Sequence, residues 1–468
     1  MAGSESSVTG SVPTSRIVLV ATTAALGGFL FGFDTAVING AVTAVGEAFQ
    51  VSSGALGFAV ASALLGCAVG AWFAGRIADR YGRIPVMLIA AALFVLSAIG
   101  SGFAFGIWDL SIWRIIGGLG VGAASVIAPA YIAEVSPPQI RGRLGSLQQL
   151  AIVTGIFVAL LVDFAIVAAA GSASSDWLFG IAAWRWMFIS EVIPAVIYGL
   201  LALTIPESPR YLIAAGKLDK AATVLKRYVG GDVPATIRDI QASLVGRASR
   251  VRLSVLKGRS FGLHPIVWVG IGLSVLQQFT GINVIFYYSS TLWQAVGFTE
   301  QNSLAITVIT SVTNIATTIV AIALIDKVGR KPLLMVGAIG QFVCLGALAV
   351  IFATAPIVDG EPVLQGAASP LALVAANLFV VFFGVSWGPV VWVLLGEMFS
   401  NKIRAMALSV AAAAQWLANF VISTTFPGLA DIGLGRTRLA PVGALGARPS
   451  PPRRARGLSS SARRIRGI

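Results

Sequence analysis

The chain has 468 residues, of which 57% are hydrophobic and 11% charged, and its mean hydropathy is +0.87. Soluble domains carry about 25% charged residues, so a water-soluble enzyme or scaffold is excluded and an all-α integral membrane protein is implied. The formal charge of +14 does not call for nucleic acid, because basic residues fall in the polar segments between apolar stretches, where membrane proteins place them.

In chain order, residues 1–16 are polar and lack the basic start and short apolar core of a secretory leader, so the first span is read as retained and 1–16 as cytoplasmic. Apolar stretches centred near residues 29, 67, 95, 121, 158 and 193 make a first half, 17–205. Residues 206–263 turn polar and basic, with helical spacing in LDKAATVLKRYV, and read as a cytoplasmic linker of short helices on the membrane surface. Stretches centred near 277, 314, 343, 384 and 415 make a second half, 264–427. Each stretch reaches the roughly 20 residues a membrane helix needs. Lys and Arg follow the even-numbered spans, at Arg80, Arg83, Arg141, Arg143, Lys327, Arg330 and Lys331, which assigns those loops to the cytoplasm. Arg185 is the exception. Cys67, Cys344 and His264 stand apart from one another, so neither disulfide, metal nor cofactor is expected.

The first span contains GGFLFGFDTAVING, residues 27–40, with Asp34 among apolar neighbours. A charge at the middle of a membrane helix costs about 2.5–3.5 kcal/mol on insertion scales, so such a residue faces a partner or a wet cavity. Arg114 in the fourth span is a second ionisable group, and Glu191 in the sixth a third.

The halves echo each other. GRIADRYGRIP (75–85) returns as ALIDKVGRKP (323–332), and AEVSPPQIRGR (133–143) as GEMFSNKIRAM (396–406). Asp79 and Asp326 fall at helix ends beside a glycine that permits a tight turn, followed by Arg83 and Arg330. Glu134 precedes Arg141 by seven positions, as Glu397 precedes Arg404. Ion pairs between Glu134 and Arg141 and between Glu397 and Arg404 are expected, with a gating role at the cytoplasmic face.

These loops, with PESPRYL (206–212), RIIGGLGVG, LQQFTGINVIFYY and AAQWLANF in that order, resemble the sugar porter family of the major facilitator superfamily over about residues 17–427. The resemblance implies two pseudo-symmetric six-helix bundles with a sugar between them and alternating access by rocking of one bundle against the other. It implies a multi-pass protein of the plasma membrane and, as partners, a monosaccharide, a proton and the lipid bilayer. A monomer is the plausible oligomeric state. No nucleophile, base and oxyanion donor are grouped, so enzymatic turnover is not expected.

Sugar hydroxyls both donate and accept, which amides match without a charge, and an indole adds an apolar face with one donor. Gln149, Gln277, Gln278, Asn283, Asn314, Trp392, Gln415, Trp416 and Asn419 lie inside spans. By similarity to the family, Gln149, Gln277, Gln278, Asn283 and Trp392 are sugar contacts, with Asn314, Gln415 and Trp416 close behind, and Tyr287 and Tyr288 form the outer aromatic gate. Asn283 is five residues after Gln278, about 140° around a straight helix, so Thr280 and Gly281 are expected to break it. Ile156 stands where a xylose-transporting member has a second glutamine, which leans towards a hexose such as glucose, with xylose or galactose open. Gly384 stands where mammalian glucose facilitators have glutamate.

In the family the positions matching Asp34 and Arg114 lie close together. An aspartate that gains a proton facing outward and loses it facing inward makes a proton symporter, with Glu191 modulating the pair; a static brace between the first and fourth spans is the alternative. Facilitative uniport, a non-transporting sugar sensor and a truncated inactive carrier are the competing functions. Residues 428–468 do not match the family's twelfth helix. Nine arginines and no acidic residue follow from Arg436 onward. The twelfth helix is therefore read as missing or replaced, by a frameshift or by a genuine basic tail.

Overall fold

A computed structural model describes residues 14–137, 140–230, 232–245, 256, 258, 261–358, 361–399 and 403–435. Among them, eleven helices are long and apolar enough to cross a membrane, matching the eleven spans expected. In hydrocarbon every backbone polar group must be satisfied within the segment, which only helices and closed barrels achieve.

The first span is α1 (Thr14–Ala36) and α2 (Ile38–Phe49), joined at Val37. The next three are α3 (Ser53–Tyr81), α4 (Arg83–Gly102) and α5 (Ile107–Val135). The fifth is α6 (Arg141–Ala170), and the sixth is α7 (Ala183–Ser190) with α8 (Val192–Ala202), joined at Glu191. Small residues let α3 and α5 approach closely: Gly118 lies against the Ala63 carbonyl and Gly66 against that of Ile115. Close approach of this kind supplies dispersion where no hydrophobic driving force exists between helices.

The linker carries α9 (Pro209–Ala214), α10 (Leu218–Val224) and α11 (Val233–Val245). Leu212, Ile213 and Ala221 are buried there, with Ile237, Ile240 and Leu244 packed on them. Ala221 and Val224 of LDKAATVLKRYV are thus covered within the linker, while Tyr228 packs on the first half. The Tyr131 hydroxyl donates to the Pro206 carbonyl at 2.5 Å and ties the linker to α5.

The second half begins with α12 (Pro265–Phe279) and α13 (Ile282–Gln294), one span in two pieces. Then come α14 (Glu300–Val328) and α15 (Arg330–Ala353). A minimal hairpin of β1 (Ile357–Val358) and β2 (Glu361–Pro362) leads to α16 (Ala368–Phe382). A π-helical turn, Phe383–Trp387, widens that helix before α17 (Gly388–Met398). The last helix, α18 (Arg404–Gly435), runs through Pro427 and beyond the boundary expected at 427. The basic tail that raised the question of a twelfth helix lies, from Arg436 onward, outside the described residues.

The sequence repeat is a structural one. Gly82, with φ 107°, turns α3 into α4, and Gly329, with φ 90°, turns α14 into α15. The halves meet at the end far from the linker. One apolar cluster there unites Phe33, Ile38 and Val42 with Phe286, Tyr287 and Phe379. Asn39 Nδ2 donates to the Phe286 carbonyl and to Ser289 Oγ, both at 3.0 Å, and Ser290 Oγ donates back to the Asn39 carbonyl at 2.6 Å. The Ala173 amide donates to Glu300 Oε1 at 3.1 Å. Towards the linker end the apolar clusters divide, one around α3 to α5 and α8, another around α12, α17 and α18.

Candidate functional site

Asp34, Arg114 and Glu191 are 1%, 2% and 1% exposed, so three ionisable groups share the interior of the first half. Arg114 Nη1 donates to Asp34 Oδ1 at 3.1 Å and to the Asp34 carbonyl at 2.8 Å. That carbonyl belongs to the last turn of α1. Glu191, at the junction of α7 and α8, lies within electrostatic reach of both partners. Asp34 Oδ2, Glu191 Oε1 and Arg114 Nε have no hydrogen-bond partner among the described residues. One cation and two carboxylates are buried together, so the group is electrically balanced only when it holds one extra proton; an unpaired ion there would be costly.

Gly117 makes the room for this pair. A β-carbon at Gly117 would meet Asp34 Oδ1 and Ser97 Oγ, and Ser97 is itself held by the Trp113 carbonyl at 2.8 Å. Gly117→Ala is therefore expected to destabilise by about 1–3 kcal/mol, the usual cost of overpacking. Thermal unfolding of the detergent-solubilised variant checks this against Gly272→Ala, where nothing lies within 4 Å of the new carbon.

The seventh span is interrupted where the spacing of its amides requires. Gly281 has φ 85° between α12 and α13, and Asn283 Nδ2 comes back to Gln278 Oε1 at 2.5 Å. Gln278 Nε2 donates to Gln277 Oε1 at 3.4 Å, and Gln277 Nε2 to the Trp387 carbonyl at 2.7 Å and that of Gly388 at 3.3 Å. The three amides form a chain across the break, anchored on the π-helical turn. Asn314 is buried on α14 opposite Gly384, where an added β-carbon would overlap Thr317; a glutamate does not fit without displacing it.

The remaining amides and indoles are more scattered. Gln149 is half-buried on α6. Its neighbour Gln148, not singled out from the sequence, is buried against Gly28 with neither amide atom partnered among the described residues. Gln415 Oε1 is likewise buried without a partner, and the Trp416 ring lies 5.6 Å from Phe31 across the two halves. Trp392 is 42% exposed. Tyr287 is buried on α13, while the Tyr288 hydroxyl donates to the Ser423 carbonyl at 2.9 Å and its ring packs on Phe426. Tyr288 thus closes α13 onto α18 near the far end.

At the linker end two ion pairs are present that the sequence did not foretell. Glu134 is held by Arg83, through Nε and Nη2 at 3.0 Å each, and Glu397 by Arg330, through Nε at 3.0 Å and Nη2 at 2.7 Å. The glycine turns aim these guanidinium forks at the carboxylates, a bidentate match stronger than a single contact. Arg83 Nη2 also reaches Asp79 Oδ1 at 3.2 Å. Glu134 accepts from Ser208 as well, and Glu207 accepts the Arg83 and Ile84 amides, so PESPR docks onto the same turn. The side chains of Arg141, Arg404 and Asp326 lie outside the described residues.

Two polar residues that sequence reasoning passed over stand out. Asn39 bonds the halves together at the far end, and Asp163 is completely buried on α6. The signal that singled out Asp34, a polar side chain in an apolar run, was present for both.

Residues 20–435 match the family model described as "Sugar (and other) transporter". The chain is 64% identical over 421 residues to a glucose transport protein of Synechocystis sp., covering 90% of each. It is 40% identical over 442 residues to the D-xylose-proton symporter of Escherichia coli, covering 88% of this chain and 86% of the relative. The solved structure of the Escherichia coli xylose transporter XylE in a partially occluded inward-open conformation aligns with a TM-score of 0.74 at 36% identity, covering 88% of this chain and 92% of XylE. XylE bound to 6-bromo-6-deoxy-D-glucose gives the same TM-score at 38% identity, covering 90% and 91%.

Proposed function

Because the chain belongs to the sugar transporter family of the major facilitator superfamily, we propose that it imports a monosaccharide, glucose first among the candidates, together with a proton. The observation that carries this reading is the buried group of Asp34, Glu191 and a single Arg114, which balances its charge by taking up one proton. A facilitator has no need of a titratable pair in that place.

In this reading Asp34 is the proton carrier, Arg114 the fixed counter-charge and Glu191 the second acceptor. Gln149, Gln278, Asn283, Asn314, Trp392, Gln415 and Trp416 bind the sugar, and Gln277, committed to the backbone of the π-helical turn, positions the others. Tyr287 and Tyr288 gate the far end. Asp79, Arg83 and Glu134, with Asp326, Arg330 and Glu397, brace the linker end of each half, and Arg141 and Arg404 join them when the halves close there.

The N-terminus and residues 206–263 face the cytoplasm, 17–205 and 264–427 are the two moving units, and the far end is the outer mouth. Joined at that mouth through Asn39, Ser289 and Ser290, the halves rest in an outer-closed state. Rocking exposes the cavity to alternate sides, and the protein works as a monomer in the bilayer.

Radiolabelled glucose uptake into proteoliposomes tests the proposal. Accumulation with an inward proton gradient, collapsed by a protonophore, is the expected result. Equilibration indifferent to the gradient would make the chain a uniporter, and binding without uptake a sensor.

A further inference from the structure

Resting on the proton-coupled reading above, we propose that Asp163 is a second proton-binding carboxylate, which must hold a proton for the outer mouth to close and returns it to the same side when the mouth opens. Asp163 sits in the far half of α6 and is 0% exposed. Its Oδ2 accepts from the Gly40 amide at 3.2 Å, and its Oδ1 has no partner among the described residues. Gly40 follows Asn39, the residue that bonds the two halves together. A β-carbon at Gly40 would run into the Asp163 carboxylate, so the acid is pressed directly against the closing segment.

The groups that face α6 leave this carboxylate without a counter-charge. On α1 and α5, Asp34 and Arg114 hold each other, and Glu134 is held by Arg83. Asp109 of α5 accepts the Phe105 amide, and the Tyr131 hydroxyl bonds to Pro206. On α7, Arg185 donates to the Gly102 and Ala104 carbonyls. On α2 and α14, Glu47 accepts from Ser174 and Glu300 from the Ala173 amide. Arg16 of α1 and Asp326 and Lys327 of α14 lie at the opposite, linker end.

Ionised, Asp163 would give up its water for one amide hydrogen bond, a poor exchange for a buried charge. Neutral, it accepts that bond and fits the closed interface. When the second half, which packs on α2 and α6 through α13 and α14, draws away with the opening mouth, water reaches the acid and it ionises to hydronium and carboxylate; closing reverses the step, hydronium returning its proton and leaving water. The proton never crosses the membrane, so Asp163 sets the pace of the cycle against outside pH and leaves the proton-to-sugar ratio untouched. That separates its role from Asp34's.

The test is glucose exchange in proteoliposomes with equal sugar on both sides, at an external pH stepped from about 6 to about 8.5 across the range where a proton equilibrium shows as rate. Wild type is expected to slow about five-fold and Asp163→Asn, which retains an acceptor for Gly40, less than about two-fold, with gradient-driven accumulation the same in both. Equal slowing of the two overturns the proposal. Isotope-edited infrared spectroscopy of aspartate-labelled protein is the second readout. A neutral-acid band at neutral pH that persists in Asp34→Asn supports Asp163, and its absence overturns it. Wild type without any exchange would defeat the transport reading instead, while the infrared band still decides the state of Asp163.

Discussion

Asp34→Asn is expected to abolish gradient-driven sugar accumulation while sugar exchange at equal concentrations continues. Asparagine keeps the oxygen that accepts from Arg114 Nη1 at 3.1 Å and the shape of the side chain, but it cannot take up a proton. With Asn in place, Arg114 and Glu191 balance each other, and the site is neutral without a proton from outside. One pH unit is worth about 1.4 kcal/mol, so coupling one proton to one sugar supports about ten-fold accumulation across that gradient. The variant should stop at about one-fold. The sign is fixed: the carrier loads in the more acidic compartment, so acid outside drives import and acid inside drives export. Retained ten-fold accumulation in Asp34→Asn would move the coupling role to Glu191.

The eleven spans could be read from hydropathy because a membrane helix must solve its hydrogen bonding alone, which ties span to local composition. The break in the seventh span was legible for a related reason. Two amides five positions apart cannot share a face of a straight helix, and Thr280 and Gly281 lie between them. Contacts that depend on how helices pack were not legible. Glu134 was expected to pair with Arg141, whose side chain lies outside the described residues, and its bond to Arg83, 51 residues back, was not foreseen; that partner is chosen by the turn at Gly82, which aims the guanidinium inward. Asn39 bonds to Phe286, 247 residues away, and periodicity carries no information about such a distance. Gln148 and Gln149 differ by one position and about 100° of helix, and which faces α1 is decided by the close approach at Gly28. The twofold echo of loops revealed the repeat, yet not where the halves touch.

Arg114→Leu should be the most damaging single substitution in the first half. It leaves Asp34 and Glu191 buried with no cation beside them, and breaking a buried pair by removing one partner costs about 3–5 kcal/mol. Total stabilities of about 5–15 kcal/mol leave little behind after such a loss, so a large fall in folded protein is expected, seen as lost monodispersity in size-exclusion chromatography. Charge and geometry can then be separated. Both bonds to Asp34 leave from one nitrogen, Nη1, at 3.1 Å to Oδ1 and 2.8 Å to the carbonyl. Lysine also presents a single cationic nitrogen with several donors, so Arg114→Lys should fold far better than Arg114→Leu. Adding Asp34→Asn to Arg114→Leu removes one of the stranded carboxylates and should recover part of the loss. Recovery stays incomplete, since the Asp34 carbonyl at the end of α1 still lacks its donor, worth about 1 kcal/mol. The two substitutions will therefore be non-additive, by about 0.5–3 kcal/mol for groups in contact. Simple additivity, or equal damage from Lys and Leu, would show that Arg114 braces the helices by shape, and the charge balance on which proton coupling depends would lose its foundation.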